Sequence, residues 1–232
     1  MNPLTIVLFL FSMAVLQGCT SNEIGNSKDV NPETVFVEYF VSCTGETDSL
    51  ECMAQFRFAG ENGTTLVLNK PASVMLDKKE LLVDSSEFEG AYYRYYSRPE
   101  TFSGNHQWKY TDNNRHTYTE SFNFRPIHLL TSLPAVISKK NLSLDWQNGL
   151  PGQQLMVEIS DTAGGTADIH LSIEAAANHI IIPANALRSL VNGPVYIKLY
   201  IEENRTLKNA PREGGCFRFN YLVKQYGLEL KD

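Results

Sequence analysis

From Thr34 to Gln225 apolar and polar side chains alternate in short runs, each closed by Gly, Asn, Asp or Pro, and no window carries a 3.6-residue apolar stripe over ten or more residues. Alternation at a period of two specifies strands with one face buried. The chain is therefore expected to be all-β. Expected strands fall into two sets, Thr34 to Phe124 and Leu142 to Gln225, and the stretch between them, Arg125 to Lys140, holds two prolines without alternation. Each half of the chain is close to 100 residues with turn signals every 8 to 12, the spacing of an immunoglobulin-like sandwich. The expectation is two tandem immunoglobulin-like β-sandwich domains, residues 34–127 and 128–232. A chain that is 43% hydrophobic and 20% charged has the apolar content for two such cores.

Alternation also carries register. With Thr111 to Arg115 as a five-residue loop, Tyr110 faces His116 and Trp108 faces Tyr118, while Phe122 and Phe124 continue on that side. Gln107, Lys109, Thr117, Thr119 and Ser121 then share the solvent face. A four-residue loop sets both large aromatics among polar residues, so the five-residue register is expected.

Residues Met1 to Gly18 contain no charged side chain, and Leu4 to Leu16 form a nearly unbroken apolar run. Thirteen helical residues rise about 20 Å, less than a bilayer core, so the run reads as the apolar region of a signal peptide. It ends in Leu16-Gln17-Gly18-Cys19, which resembles the lipobox of bacterial lipoproteins. That resemblance implies cleavage before Cys19 and acylation of its thiol, giving a signal peptide over 1–18, a lipidated cysteine with a flexible tether over 19–33, and a membrane partner through the N-terminal lipid. Thr20, in place of Asp after the cysteine, implies the outer membrane of a Gram-negative cell, on its periplasmic face or at the cell surface.

In the second set, Ile180-Ile181-Ile182-Pro183, then Leu187-Arg188-Ser189-Leu190 and Gly193, precede the long strand Val195 to Glu202, and Leu142 to Trp146 forms an opening strand with Trp146 as core anchor. The pattern resembles uncharacterised two-domain immunoglobulin-like lipoproteins of Gram-negative bacteria, and implies a sandwich without an assigned activity.

Chemistry is harder to find. No two glycines are separated by one residue, no glycine precedes a lysine, no histidine precedes a glutamate, and no Gly-x-Ser-x-Gly occurs. The dinucleotide, P-loop, zinc-helix and nucleophile-elbow motifs are thus absent. A net charge of −6 supplies no basic stripe for nucleic acid. Neither metal nor cofactor is expected, although His106, His116 and Glu120 could meet at one hairpin end. Cys43 and Cys52 flank a short loop and are a disulfide candidate in an oxidising compartment, with Cys216 left over. Tyr92, Arg94 and Tyr96 alternate onto one strand face, where two half-exposed rings beside a guanidinium would form a platform for a glycan. The expected function is that of a lipid-anchored, non-catalytic binding, structural or adhesion module of the cell envelope, whose partner is a glycan or an envelope protein. A carbohydrate-binding accessory protein and an enzyme built on unrecognised carboxylates are the alternatives.

Overall fold

The computed structural model describes residues 23–45, 47–162 and 168–232. The apolar leader and Leu16-Gln17-Gly18-Cys19 lie outside the described residues. The chain is all-β, as its period-two patterning requires. Strands of the first half are β1 (Ile24–Asn26), β2 (Val35–Thr44), β3 (Ser49–Phe58), β4 (Thr64–Val67), β5 (Ser73–Leu76), β6 (Lys79–Glu80), β7 (Val83–Ser86), β8 (Gly90–Ser97), β9 (Gly104–Thr111) and β10 (Thr117–Phe124). The second half supplies β11 (His128–Leu129), β12 (Val136–Ser138), β13 (Leu142–Gln147), β14 (Gln154–Asp161), β15 (Ile169–Glu174), β16 (His179–Ile182), a single helical turn α1 (Ala184–Leu187), β17 (Gly193–Thr206) and β18 (Gly215–Lys231).

One large sheet runs in the order β1-β4-β3-β2-β18-β17-β14-β15, with β8 and β7 beside β3 and β12 beside β18. A sheet β10-β9-β5-β6 covers its first half, and a sheet β11-β13-β16 covers its second. In the first sandwich Tyr39 stacks on Trp108 with centroids 4.9 Å apart, and Phe56 meets Tyr110 at 4.6 Å. In the second, Trp146 is the anchor its pattern suggested, buried with its indole N–H donating to the Ala175 carbonyl at 2.7 Å. There β13 and β16 oppose β15, β14, β17 and β18, with β12 parallel to β18, which is the strand distribution of an immunoglobulin-like domain. Pro183, without an N–H, ends β16, and α1 then buries Leu187, with Leu190 following.

The boundary expected between residues 127 and 128 divides the chain but not the sheet. The first residues of β18, 215–222, pair in parallel with β2, and its last three pair in parallel with β12. Along the whole hairpin β18 is antiparallel to β17, so two neighbouring strands belong to both sandwiches. Their register shifts between Leu199 and Tyr200, leaving Val223 as the extra residue of a bulge. An extra residue inverts the parity that follows it. Phe217, Phe219 and Tyr221 consequently turn inward onto Phe122 and Phe124 of the first sandwich, whereas beyond the bulge it is Leu228 and Leu230 that are buried. Local alternation could not reveal this, because β2 and β18 lie at opposite ends of the sequence.

The expected tether over 19–33 is also corrected where it is described. β1 pairs in parallel with β4, and the buried Ser27 accepts the Asn69 N–H through its hydroxyl at 2.9 Å. Glu33 accepts the Arg212 N–H through its carboxylate and the Glu213 N–H through its carbonyl. Short polar side chains that suggest flexibility here satisfy backbone groups and fasten the segment to the first sandwich.

The hairpin of β9 and β10 keeps its expected faces but not its expected register. Thr111 pairs with Thr117, Tyr110 with Tyr118 and Trp108 with Glu120, a shift of two residues. Asp112 is the reason. Its buried carboxylate accepts the His116 N–H at 2.8 Å, and its own N–H donates to the His116 carbonyl, so the loop closes over 112–116 with Arg115 at φ +66°. A two-residue shift preserves parity, so Trp108 and Tyr110 still point inward.

Candidate functional site

Tyr92, Arg94 and Tyr96 share the outer face of β8, but they do not form the two-ring platform. Tyr92 is only 5% exposed, because the Arg94 guanidinium lies over its ring at 3.9 Å. Glu51 at 2.5 Å and Glu89 at 2.6 Å hold that guanidinium from either side, so Arg94 is a lid rather than a free donor. Tyr96, 61% exposed, is left as a single ring. On the opposite face Tyr93 meets the edge of Phe56, and its hydroxyl accepts the Leu68 N–H at 2.7 Å.

Nor do the other candidates converge. His106 bonds Asp77 at 2.6 Å and the Phe102 carbonyl at 2.8 Å while stacking on Phe102; His116 lies at the turn, and Glu120 pairs with Arg205. No metal-ligating cluster occurs among the described residues. Cys43 and Cys52 are free thiols, a correction to the expected disulfide. Cys43 lies opposite Leu50 and Cys52 opposite Val41, so the two are diagonal neighbours on antiparallel strands. Burial pushes the Cys43 thiol up to about 12 and raises Cys52 as well. Thiol titration of the chain from Thr20 to Asp232 in denaturant, after blocking every thiol reachable in the native state, should therefore recover at least the two buried groups. Recovery of none would mean that they are bonded.

The sheet's outer face does hold a groove of about 640 Å³, beyond what the residue pattern suggested. Its floor is Glu38 and Phe40 on β2, Met53, Gln55 and Arg57 on β3, and Arg218 on β18, and its walls are the turns at 61–65 and 88–90. Glu38 is 6% exposed and shared: one carboxylate oxygen takes Arg57 at 2.5 Å and the other Arg218 at 3.0 Å. Arg57 also donates to the Gln55 side-chain oxygen, Gln55 donates to the Ala91 carbonyl at 3.2 Å, and Arg218 pairs with Glu61. Phe88, 91% exposed, stands at the rim. A buried charge cluster of this kind orients groups more than it stabilises a fold. Its signal in the sequence is Glu38, Gln55, Arg57 and Arg218 at the outward parity of otherwise apolar strands. Assembling it needs the pairing of β2 with β18, which brings Cys216 opposite Glu38.

Each Glu38 oxygen faces an arginine, which fixes the carboxylate at the floor in one orientation. Cys216 beside it is raised by burial and by Glu38, which keeps it a thiol rather than a nucleophilic thiolate.

Fold and groove together define an all-β module of two fused sandwiches that presents one sheet face. No family model matches the chain, and no curated protein aligns with it. Among solved structures it is similar to DIP-gamma IG1+IG2, at 10% identity over 85% of this chain and 98% of that one, with a TM-score of 0.24. It is similar also to a tetra-tandem repeat from the extending region of a large adhesion protein, at 16% identity over 84% of this chain and 50% of that one, with a TM-score of 0.27. The Yersinia pseudotuberculosis adhesin InvE aligns at 9% identity over 87% of this chain and 60% of that one, with a TM-score of 0.23.

Proposed function

We propose that this protein is a lipid-anchored module of the bacterial cell envelope that binds a partner through the outer sheet face of its first sandwich and converts nothing. The groove over Glu38, Arg57 and Arg218 carries the reading. Its floor offers fixed arginine donors and carboxylate and amide acceptors beside Phe40 and Met53, while the exposed Phe88 ring supplies an apolar contact at the rim. Such a mixture of anchored polar groups and apolar surface suits recognition of another macromolecule of the envelope. Anchoring rests on the Leu16-Gln17-Gly18-Cys19 motif. Two or three acyl chains, at about 0.8 kcal/mol per buried methylene, would hold the chain in its membrane essentially permanently.

A photo-crosslinking residue placed at Phe88 in cells is expected to give discrete adducts, while the same residue at Lys109, on the exposed face of β9, gives none. Adducts at both positions, or at neither, would remove the groove from consideration. In the same cells Cys19→Ser should shift the protein from the membrane to the soluble fraction. Retention in the membrane would end the lipoprotein reading without touching the groove.

A further inference from the structure

The aromatic platform sought on β8 has a counterpart on the outer face of the second sandwich. There β17 carries Tyr196, Lys198 and Tyr200 at alternating positions, with Glu158 on β14 opposite Lys198 and Gln225 on β18 opposite it on the other side. Tyr196 pairs with Gly227, and its ring occupies the space above that glycine: a Cβ at Gly227 would sit 3.6 and 3.9 Å from two of its ring carbons. The ring therefore lies low along the sheet, with its far face toward solvent at 47% exposure. Glu158, Ser160, Lys198 and Gln225 line a shallow depression of about 230 Å³ beside it. Lys198 stays at this site, its ammonium 4.4 Å from the centre of the Tyr200 ring.

We propose that Tyr196, with Glu158, Ser160, Lys198 and Gln225, forms a binding subsite for one ring of a neutral polysaccharide. A pyranose has an apolar face of C–H groups and an edge of hydroxyls that both donate and accept. The flat tyrosine matches the first, since an aromatic face attracts polarised hydrogens. Around it, the carboxylate accepts, the ammonium donates, and the amide and hydroxyl do both, matching the second. Glu158 and Lys198 cancel in charge, which favours an uncharged ligand over an acidic or basic one. Gly227 gives the ring a flat floor, with which a Cβ would be in ordinary contact and a larger branched side chain would compete for space. This site is separate from the groove of the first sandwich, so its failure would leave the proposed function standing.

The test is calorimetric titration of the soluble chain from Thr20 to Asp232 with cellohexaose, xylohexaose, mannohexaose and maltohexaose. At least one is expected to bind saturably. Tyr196→Ala should weaken that binding tenfold or more. Gly227→Val, whose branched side chain lifts the ring without removing it, should also weaken it, while Tyr96→Ala leaves it unchanged. Near-UV circular dichroism of each variant separates loss of binding from loss of fold. Binding of none of the four sugars, or unchanged binding by a folded Tyr196→Ala, would overturn the proposal and leave Tyr196 as a cover for the glycine.

Discussion

A fragment containing residues 23–127 alone is expected not to fold. It retains every strand of the first sandwich up to β10 but loses the neighbour of β2, and with it the pairing of Gly215–Leu222 against Val37–Thr44. Phe217, Phe219 and Tyr221, which pack on Phe122 and Phe124, leave its core at the same time. Removing a buried aromatic side chain costs about 3 to 5 kcal/mol, and three leave together, against a total stability of about 5 to 15 kcal/mol for a typical domain. Urea titration followed by near-UV circular dichroism should show no cooperative transition in the fragment and a clear one in the chain from Thr20 to Asp232. A cooperative transition in the fragment would mean that β2 tolerates an open edge, and that the shared hairpin is an appendage rather than a keystone.

Glu38→Ala is expected to destabilise the chain by about 2 to 3 kcal/mol. Breaking a fully buried ion pair costs about 3 to 5 kcal/mol because the surviving charge is stranded. Here the stranded charges are Arg57 and Arg218, and Arg218 is open enough to rehydrate, which lowers the figure. Arg98→Ala makes the natural contrast. Arg98 meets Asp48 at 3.8 Å with both side chains largely exposed, and its loss should fall within about 0.5 kcal/mol of zero. Equal denaturation midpoints for the two variants would show that the Glu38 cluster is no more than a surface pair.

Secondary structure was legible because period two is written locally: the strand at Ala91 to Arg98, the aromatic face of Trp108 and Tyr110, and the stop at Pro183 each need only a few neighbouring residues. What escaped was everything set by distant pairing. The shift at Asp112 arises because a carboxylate that reads as an ordinary turn residue is buried and takes a backbone N–H. Tyr92 disappears beneath Arg94 because Glu51 and Glu89, from another strand and from the preceding turn, hold the guanidinium in place. The groove needs β18 beside β2, and the second-half patterning of Phe217 to Tyr221 gives no hint that those residues face a core built from the first half. Tyr196 was visible as a strand residue, but the glycine beneath it belongs to β18.

The segment from Ile24 to Glu33, fastened along the first sandwich, changes what an anchor at Cys19 would do. Five residue steps separate Cys19 from Ile24, about 17 Å at full extension. A lipid at that position would confine the first sandwich to a thin layer above its membrane and restrict its tumbling, because β1 lies in the same sheet as the groove, and Glu23 lines it. Partners held in the same membrane would then meet the groove at a high effective concentration, so that a weak intrinsic affinity suffices for lasting contact. Partners free in solution would gain no such advantage, and selection between the two would come from geometry rather than from additional contacts.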